Sequence, residues 1–323
     1  MKINISYYDF YQKLENEFSD ILCGLTNTKQ KELNPKYFYD ENGSNLFEKI
    51  TKLDDYYPTK KELQIIDDNN EKFFSILPAN SSVIEFGSGS NIKINKLLKV
   101  LNNPKEYIAI DISKEFLFKN AEDSAKKFPD LTVKAVCADF DQINVLKKII
   151  DKNNSKIGFF PGSTIGNYTP DKAKKLLLKF SKILGKDNFL IIGVDLKKDI
   201  NILEKAYNDS EGITARFNKN ILNGINNICG ESFDEDNFDH KAFFNKNKSR
   251  IEMHLVSKKE QIIDILDKKI YFQEGESIHT ENSYKYSMKS FKNLADSANF
   301  ETVQILNDSK LFFSIFFLRV KNS

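Results

Sequence analysis

The sequence has almost no charge of one sign to spare: across 323 residues, 48 basic side chains stand against 46 acidic ones, a formal net charge of +2. No global field remains to gather nucleic acid or an anionic membrane, so neither is expected as a partner. Lysine pairs such as Lys60-Lys61, Lys126-Lys127 and Lys174-Lys175 are spread out and diluted by acids, as solvated helix faces are. No apolar run approaches the ~18 residues needed to span a bilayer. The longest, at 311–320, has the length of a strand. The first residues, Met1 to Ser6, lack the apolar stretch of a secretory signal. Cys23, Cys137 and Cys229 are far apart and odd in number, which suits a reducing compartment better than a disulfide framework. The cytoplasm is the expected location.

Several chemistries are missing as well. The histidines, His240, His254 and His279, are scattered, with no H-E-x-x-H and no cysteine pair at zinc spacing, so no metal site is expected. There is no G-x-S-x-G elbow and no P-loop, which removes the usual hydrolase and nucleotide-phosphate signatures. No internal repeat is evident. At 40% hydrophobic and 29% charged residues, the composition is that of a packed domain rather than a disordered chain.

What is present points to a layered α/β protein. Between about 82 and 196, short apolar runs at 83–86, 107–110, 131–136, 157–160 and 189–192 alternate with amphipathic helical stretches at 93–101, 115–128 and 171–184. That alternation is the mark of a parallel sheet with right-handed crossovers. A helical stretch at 288–298 and strand-like runs at 302–306 and 311–318 close the chain. A terminal hairpin on a parallel sheet predicts the seven-stranded, Rossmann-like class I methyltransferase core, its last strand antiparallel. Residues 197–285 read differently: helical over 200–222, then mixed and polar, with a strand at 250–257. The expected division is a core of 60–196 and 286–323, with a smaller substrate-binding domain of 1–59 and 197–285.

The first run ends in Glu85-Phe86-Gly87-Ser88-Gly89-Ser90. Glycines there let the backbone turn sharply and approach a ligand, although a lone G-x-G is equally a structural turn. Asp111 ends the second run, where an acid can accept both hydroxyls of a ribose. Asp139-Phe140 follows the third, a pair suited to an adenine amine and its ring face. The loop lacks the third glycine of G-x-G-x-x-G, which disfavours a pyrophosphate at the helix N-terminus. S-adenosylmethionine, which carries no phosphate, fits better.

Several strings together resemble the histidine Nα-methyltransferases of the ergothioneine pathway, nearly end to end. They are Pro35-Lys36-Tyr37-Phe38-Tyr39-Asp40 with Gly43-Ser44-Asn45-Leu46-Phe47; Thr51-Lys52-Leu53-Asp54-Asp55-Tyr56-Tyr57-Pro58-Thr59; and Gly162-Ser163-Thr164-Ile165-Gly166-Asn167. Ala206-Tyr207, Phe217-Asn218-Lys219-Asn220, Arg250-Ile251-Glu252-Met253 and Thr280-Glu281-Asn282-Ser283 complete the set. The resemblance implies three methyl transfers from S-adenosylmethionine to the α-amine of free histidine, giving hercynine. It implies Tyr39 and Asn167 at the amine, with Tyr56 and Tyr207 on the carboxylate. Glu281 and Ser283 would take the imidazole, and Gly162 and Met253 would line the pocket. Gly87, Lys93, Asp111, Asp139 and Phe140 would hold the cofactor. A small amino acid is then the expected partner of a monomeric enzyme.

The chemistry is consistent with those roles. Methyl transfer needs a free lone pair held in line, and a carboxylate beside the amine would trap that pair as an ammonium. Neutral groups such as the Asn167 amide and the Tyr39 hydroxyl orient nitrogen without that penalty, and Tyr39 can relay the released proton to water. Taken alone, Tyr39, Tyr56 and Tyr207 are three of 13 tyrosines and read as packing residues. Asn282 departs from the family, which usually carries a small apolar residue there, and is expected to bear on the aim of the imidazole pair. Two other readings stay open: methylation of another amino acid such as a tryptophan derivative, and an idle module that senses a metabolite.

Overall fold

A computed structural model describes residues 3–11, 16–139, 145–151, 154–230 and 232–322. In chain order its strands are β1 (Ile5–Asp9), β2 (Lys31–Glu32), β3 (Ser82–Phe86), β4 (Glu106–Asp111), β5 (Thr132–Cys137), β6 (Lys156–Phe160) and β7 (Phe189–Asp195). They continue with β8 (Phe238–Asn245), β9 (Arg250–Ser257), β10 (Gln261–Ile265), β11 (Lys268–Phe272), β12 (Ser277–Tyr284), β13 (Phe300–Asn307) and β14 (Phe313–Val320). The helices are α1 (Asn16–Leu25), α2 (Glu41–Ile50), α3 (Tyr57–Asp68), α4 (Asn70–Ile76), α5 (Ile92–Val100), α6 (Lys114–Lys127), α7 (Pro170–Leu184), α8 (Ile200–Lys205), α9 (Ile213–Cys229) and α10 (Met288–Ser297). The chain divides into two compact units. The first is Met1–Tyr11, Pro58–Lys197 and Lys285–Ser323; the second is Gln12–Tyr57 and Lys198–Tyr284. Among the described residues no helix is long and apolar enough to cross a membrane.

The first unit is built on one sheet of order β1-β5-β4-β3-β6-β7-β14-β13. Strands β3 and β6 are buried along their whole length, as their unbroken apolar runs require of a sheet covered on both faces. From β3 the chain order runs outward through β4 and β5 on one side and through β6 and β7 on the other. That reversal opens a crevice beyond the carboxyl ends of β3 and β6, the standard ligand position in such sheets. β14 inserts antiparallel to β7, as the hairpin reading expected.

The sheet has eight strands, not seven. β1 pairs in parallel with β5, from Ile5 opposite Val133 to Asp9 opposite Cys137. The first residues therefore belong to the core unit rather than to the smaller domain assigned to 1–59. Ile3 and Ile5 pack on the main apolar cluster, and the Tyr7 ring lies 4.8 Å from that of Phe118. Covering β5 in this way removes an exposed sheet edge.

The second unit holds a four-stranded sheet, β2-β12-β9-β8, and a separate hairpin, β10-β11. The hairpin turns through Leu266 and Asp267, both at positive φ (50° and 63°), which matches the right-handed twist of its strands. The helix expected over 200–222 is two helices. The first ends at Lys205, and Asp209, ahead of the second, accepts from the Ile213 and Thr214 amides at its start at 2.8 Å each. β12 carries a bulge between His279 and Glu281 where its pairing with β9 slips by one residue.

Candidate functional site

In the first unit, candidate residues collect at the carboxyl ends of the strands. The chain leaves β3 into Gly87, at φ 78°, a value only glycine adopts without strain. The Gly87 and Ser88 amides both donate to the Ile110 carbonyl at 2.9 Å, folding the loop back onto β4. Asp111, at the end of β4, accepts from the Gly89 amide at 3.2 Å and the Ser113 amide at 2.9 Å. The Ile112 amide and the Ser113 side chain also point their hydrogen bonds at this carboxylate, so it is held from its own loop. A side chain built on Gly89 would meet nothing within 4 Å, which leaves open space beside this carboxylate. Asp139 lies two residues past β5, next to Ala138, whose amide bonds the Asp111 carbonyl at 3.0 Å. Phe140 lies outside the described residues.

Beneath the loop, burial pushes the Glu85 carboxyl well above the ordinary carboxylate range. Its neighbour Tyr107, also raised by burial, donates to it at 2.6 Å. Burial likewise raises Asp111, against the pull of its amide donors. Such a set offers acceptors for hydroxyls and nothing suited to a phosphate.

On the β6 side, one buried carboxylate organises the crevice. Glu62 of α3 accepts from the Gly162 amide at 2.9 and 3.1 Å and pairs with Lys93 Nζ at 2.7 Å. Gly162 and Lys93 were assigned to substrate and cofactor respectively; the structure brings them together through Glu62. A Cβ on Gly193 would lie 2.1 Å from Glu62 Oε1, so bare backbone is needed there for the carboxylate to fit. Next in the chain, Ser163 sits at φ 58°, and its hydroxyl accepts from the Asp195 amide at 2.9 Å. Asn167 ends the 3-10 turn Thr164–Asn167, with its side chain half-buried.

The second unit assembles the remaining candidates by ring packing and strand register. Tyr39 follows the 3-10 turn Pro35–Phe38 and meets Phe47 edge-on at 6.2 Å. Phe47 meets Tyr56 at 6.2 Å, and Tyr56 meets Tyr207 at 6.3 Å. The Tyr207 hydroxyl donates to Ser283 Oγ at 2.8 Å, both groups being buried. Ser283 and Glu281 are two apart on β12, so they share a face of the sheet, with Met253 directly opposite Glu281 on β9. All six expected substrate residues of this unit thus form one connected set. Asn282 points elsewhere: it pairs with Glu252 on the opposite face, so it does not stand beside the Glu281–Ser283 pair.

A polar network behind this set was not anticipated. His240 Nε2 donates to the Tyr207 carbonyl at 2.9 Å, which leaves Nδ1 to accept from Asn218 at 2.9 Å. Asn218 also donates to the His254 carbonyl at 3.0 Å, and its Oδ1 accepts from Thr280 in the bulge at 2.6 Å. Burial lowers the pKa of His240, of His254 and, to about 4, of His279. Glu62 was also missed, although a signal existed: it shares the buried face of α3 with Ile65 and Ile66, at i, i+3 and i+4. A charged residue on an apolar stripe asks for a partner.

The chain is similar to known proteins over most of its length. A family described as histidine-specific, S-adenosylmethionine-dependent methyltransferase matches residues 18–320. The chain is similar to the histidine N-alpha-methyltransferase of Mycolicibacterium smegmatis, 35% identical over 83% of each chain. The Mycobacterium tuberculosis protein of the same name is also 35% identical over 83% of each. Ergothioneine biosynthesis protein 1 of Neurospora crassa is 30% identical over 82% of this chain, which spans 30% of that longer protein.

Proposed function

The chain belongs to the family of histidine-specific, S-adenosylmethionine-dependent methyltransferases, and from that membership we propose that it trimethylates the α-amine of free L-histidine to hercynine. The observation that carries the substrate assignment is the placement of Glu281, Ser283 and Met253 on one sheet face, with Tyr207 bonded to Ser283.

S-adenosylmethionine supplies an electrophilic methyl group on a sulfonium. Gly87, Asp111, Asp139 and Phe140 hold it, Asp111 from the end of β4 beside the open space at Gly89. Lys93 serves that site from its ion pair with Glu62. Glu281 accepts from an imidazole N–H and Ser283 donates to the ring's other nitrogen, while Tyr56 grips the carboxylate, joined by Tyr207 when its hydroxyl turns from Ser283 toward it. Asn167 and Tyr39 orient the amine as neutral partners, so nitrogen keeps its lone pair, and Tyr39 passes the released proton to water. Gly162 of the first unit and Met253 of the second are each assigned to the substrate by the family likeness. Three unpaired cysteines, one exposed, support a cytoplasmic location.

Mass spectrometry of histidine incubated with the protein and S-adenosylmethionine tests the proposal. Products carrying one, two and then three added methyl groups are expected. Turnover of tryptophan in preference to histidine would overturn the substrate assignment.

A further inference from the structure

The opposite face of the same sheet carries a second grouping of ligating side chains. Glu252 and His254 are two apart on β9, and His279 on β12 pairs directly with His254. The bulge makes this possible: without the extra residue, Thr280 and not His279 would stand opposite His254. One ligand atom from each of Glu252, His254 and His279 lies within 4.8 Å of the others. His254 Nε2 and Glu252 Oε2 are 3.3 Å apart, and two ligands of a tetrahedral zinc ion are separated by about 3.3 Å.

The outer partners fit the same use. Imidazole ligands ordinarily donate their second N–H to an acceptor that fixes the ring. His279 Nε2 donates to the Glu281 carbonyl at 3.1 Å, which leaves Nδ1 as the ligand atom. His254 Nδ1 faces Ser277 Oγ at 3.1 Å, which leaves Nε2. Glu252 Oε1 is taken by Arg250 Nε at 2.7 Å and Asn245 at 3.0 Å, so Oε2 alone is presented to the histidines. Asn282, opposite Glu252, has a buried Oδ1 with no hydrogen-bond partner.

We propose that Glu252, His254 and His279 bind one divalent first-row transition ion, zinc by ligand type, with Asn282 Oδ1 or water in the fourth position. Two imidazoles and a single carboxylate oxygen select against calcium and magnesium, which need more oxygen ligands. Through the His279 bond to the Glu281 carbonyl, the ion stiffens the bulge from which the Glu281 side chain projects.

Isothermal titration of tag-free, chelator-treated protein with zinc chloride tests this directly, with cobalt(II) absorbance as a second readout. One equivalent is expected to bind, with a visible cobalt spectrum typical of tetrahedral nitrogen and oxygen ligation. His254→Gln and His279→Gln should each abolish that spectrum, and Ser277→Ala, which keeps all three ligands, should weaken zinc binding roughly tenfold or more. Absence of binding to the unaltered protein overturns the proposal, whatever the variants do. So does cobalt binding that persists unchanged in both folded histidine variants, since the ion would then sit elsewhere.

Discussion

The two units hold their candidate residues by different means. The first uses backbone: loop glycines, amides and the ends of parallel strands, with two carboxylates, Asp111 and Glu62, bound to main-chain N–H groups. It contains none of the three histidines. The second uses side chains drawn from distant parts of the sequence, a run of aromatic rings from Tyr39 to Tyr207 and a histidine–asparagine network behind them. A site made of backbone recognises what is common to a cofactor, whereas a site made of side chains can choose one substrate. Substitutions should therefore separate the two kinds of function cleanly.

The largest separation is expected from Glu281→Ala. It removes the acceptor proposed for the imidazole N–H, so kcat/KM for histidine should fall roughly 10³-fold, about 4 kcal/mol. Cofactor affinity, measured by titration with S-adenosylhomocysteine, should stay within a factor of two or so. A matching loss of cofactor affinity would break the division of labour between the units.

Gly193→Ala tests the first unit. The new Cβ would fall 2.1 Å from Glu62 Oε1 and 2.9 Å from the Phe313 ring, in a packed core. Overpacking of this kind costs about 1–3 kcal/mol, and displacing a buried, ion-paired carboxylate places the expected value near the upper end. Urea denaturation should show it as a lower midpoint with an unchanged slope.

The same contrast decides what was legible beforehand. The core strands could be read because each apolar run is local, and the Gly87 loop and Asp111 sit at run ends that the pattern itself marks. The joining of β1 to the sheet was not legible, because five residues of mixed polarity declare themselves only against the free edge of β5. Nor was the break between α8 and α9, where Asp209 accepts from the first amides of α9 inside a continuous helical pattern. The candidate substrate residues came from resemblance alone. Nothing in the spacing of Tyr56, Tyr207 and Ser283 shows that packing will join them. The His254–His279 pairing was hidden for a similar reason, since it depends on a one-residue bulge.

Acid should distinguish the units by stability. All three imidazoles lie in the second unit, and burial there lowers their pKa from 6.5, to about 4 for His279. In that window the unfolded chain binds more protons than the folded one. The stability these groups contribute is thus full above 6.5 and is lost as pH falls toward 4, about 3 kcal/mol from His279. In chelator-treated protein, amide protection, corrected for the slower intrinsic exchange in acid, should fall first in β8, β9 and β12 between pH 7 and 4.5. Equal loss in β3 and β4 would mean that the histidines do not set the acid response.

The smallest effect comes from the bond between Tyr207 and Ser283, and it sharpens the comparison most. Tyr207→Phe keeps the ring against Tyr56 and removes only the hydroxyl that donates to Ser283 Oγ at 2.8 Å. A net hydrogen bond of this kind is worth about 1 kcal/mol, so kcat/KM should fall roughly five- to tenfold with little change in folding. Ser283→Ala should cost a similar amount. If the two hydroxyls act as one element, the double variant should lose less than the two single losses together, with a coupling of about 0.5–1 kcal/mol. Simple additivity would instead mean that carboxylate and imidazole are gripped independently. The bond would then serve packing in the second unit, and specificity would rest on Glu281 without help from its neighbour.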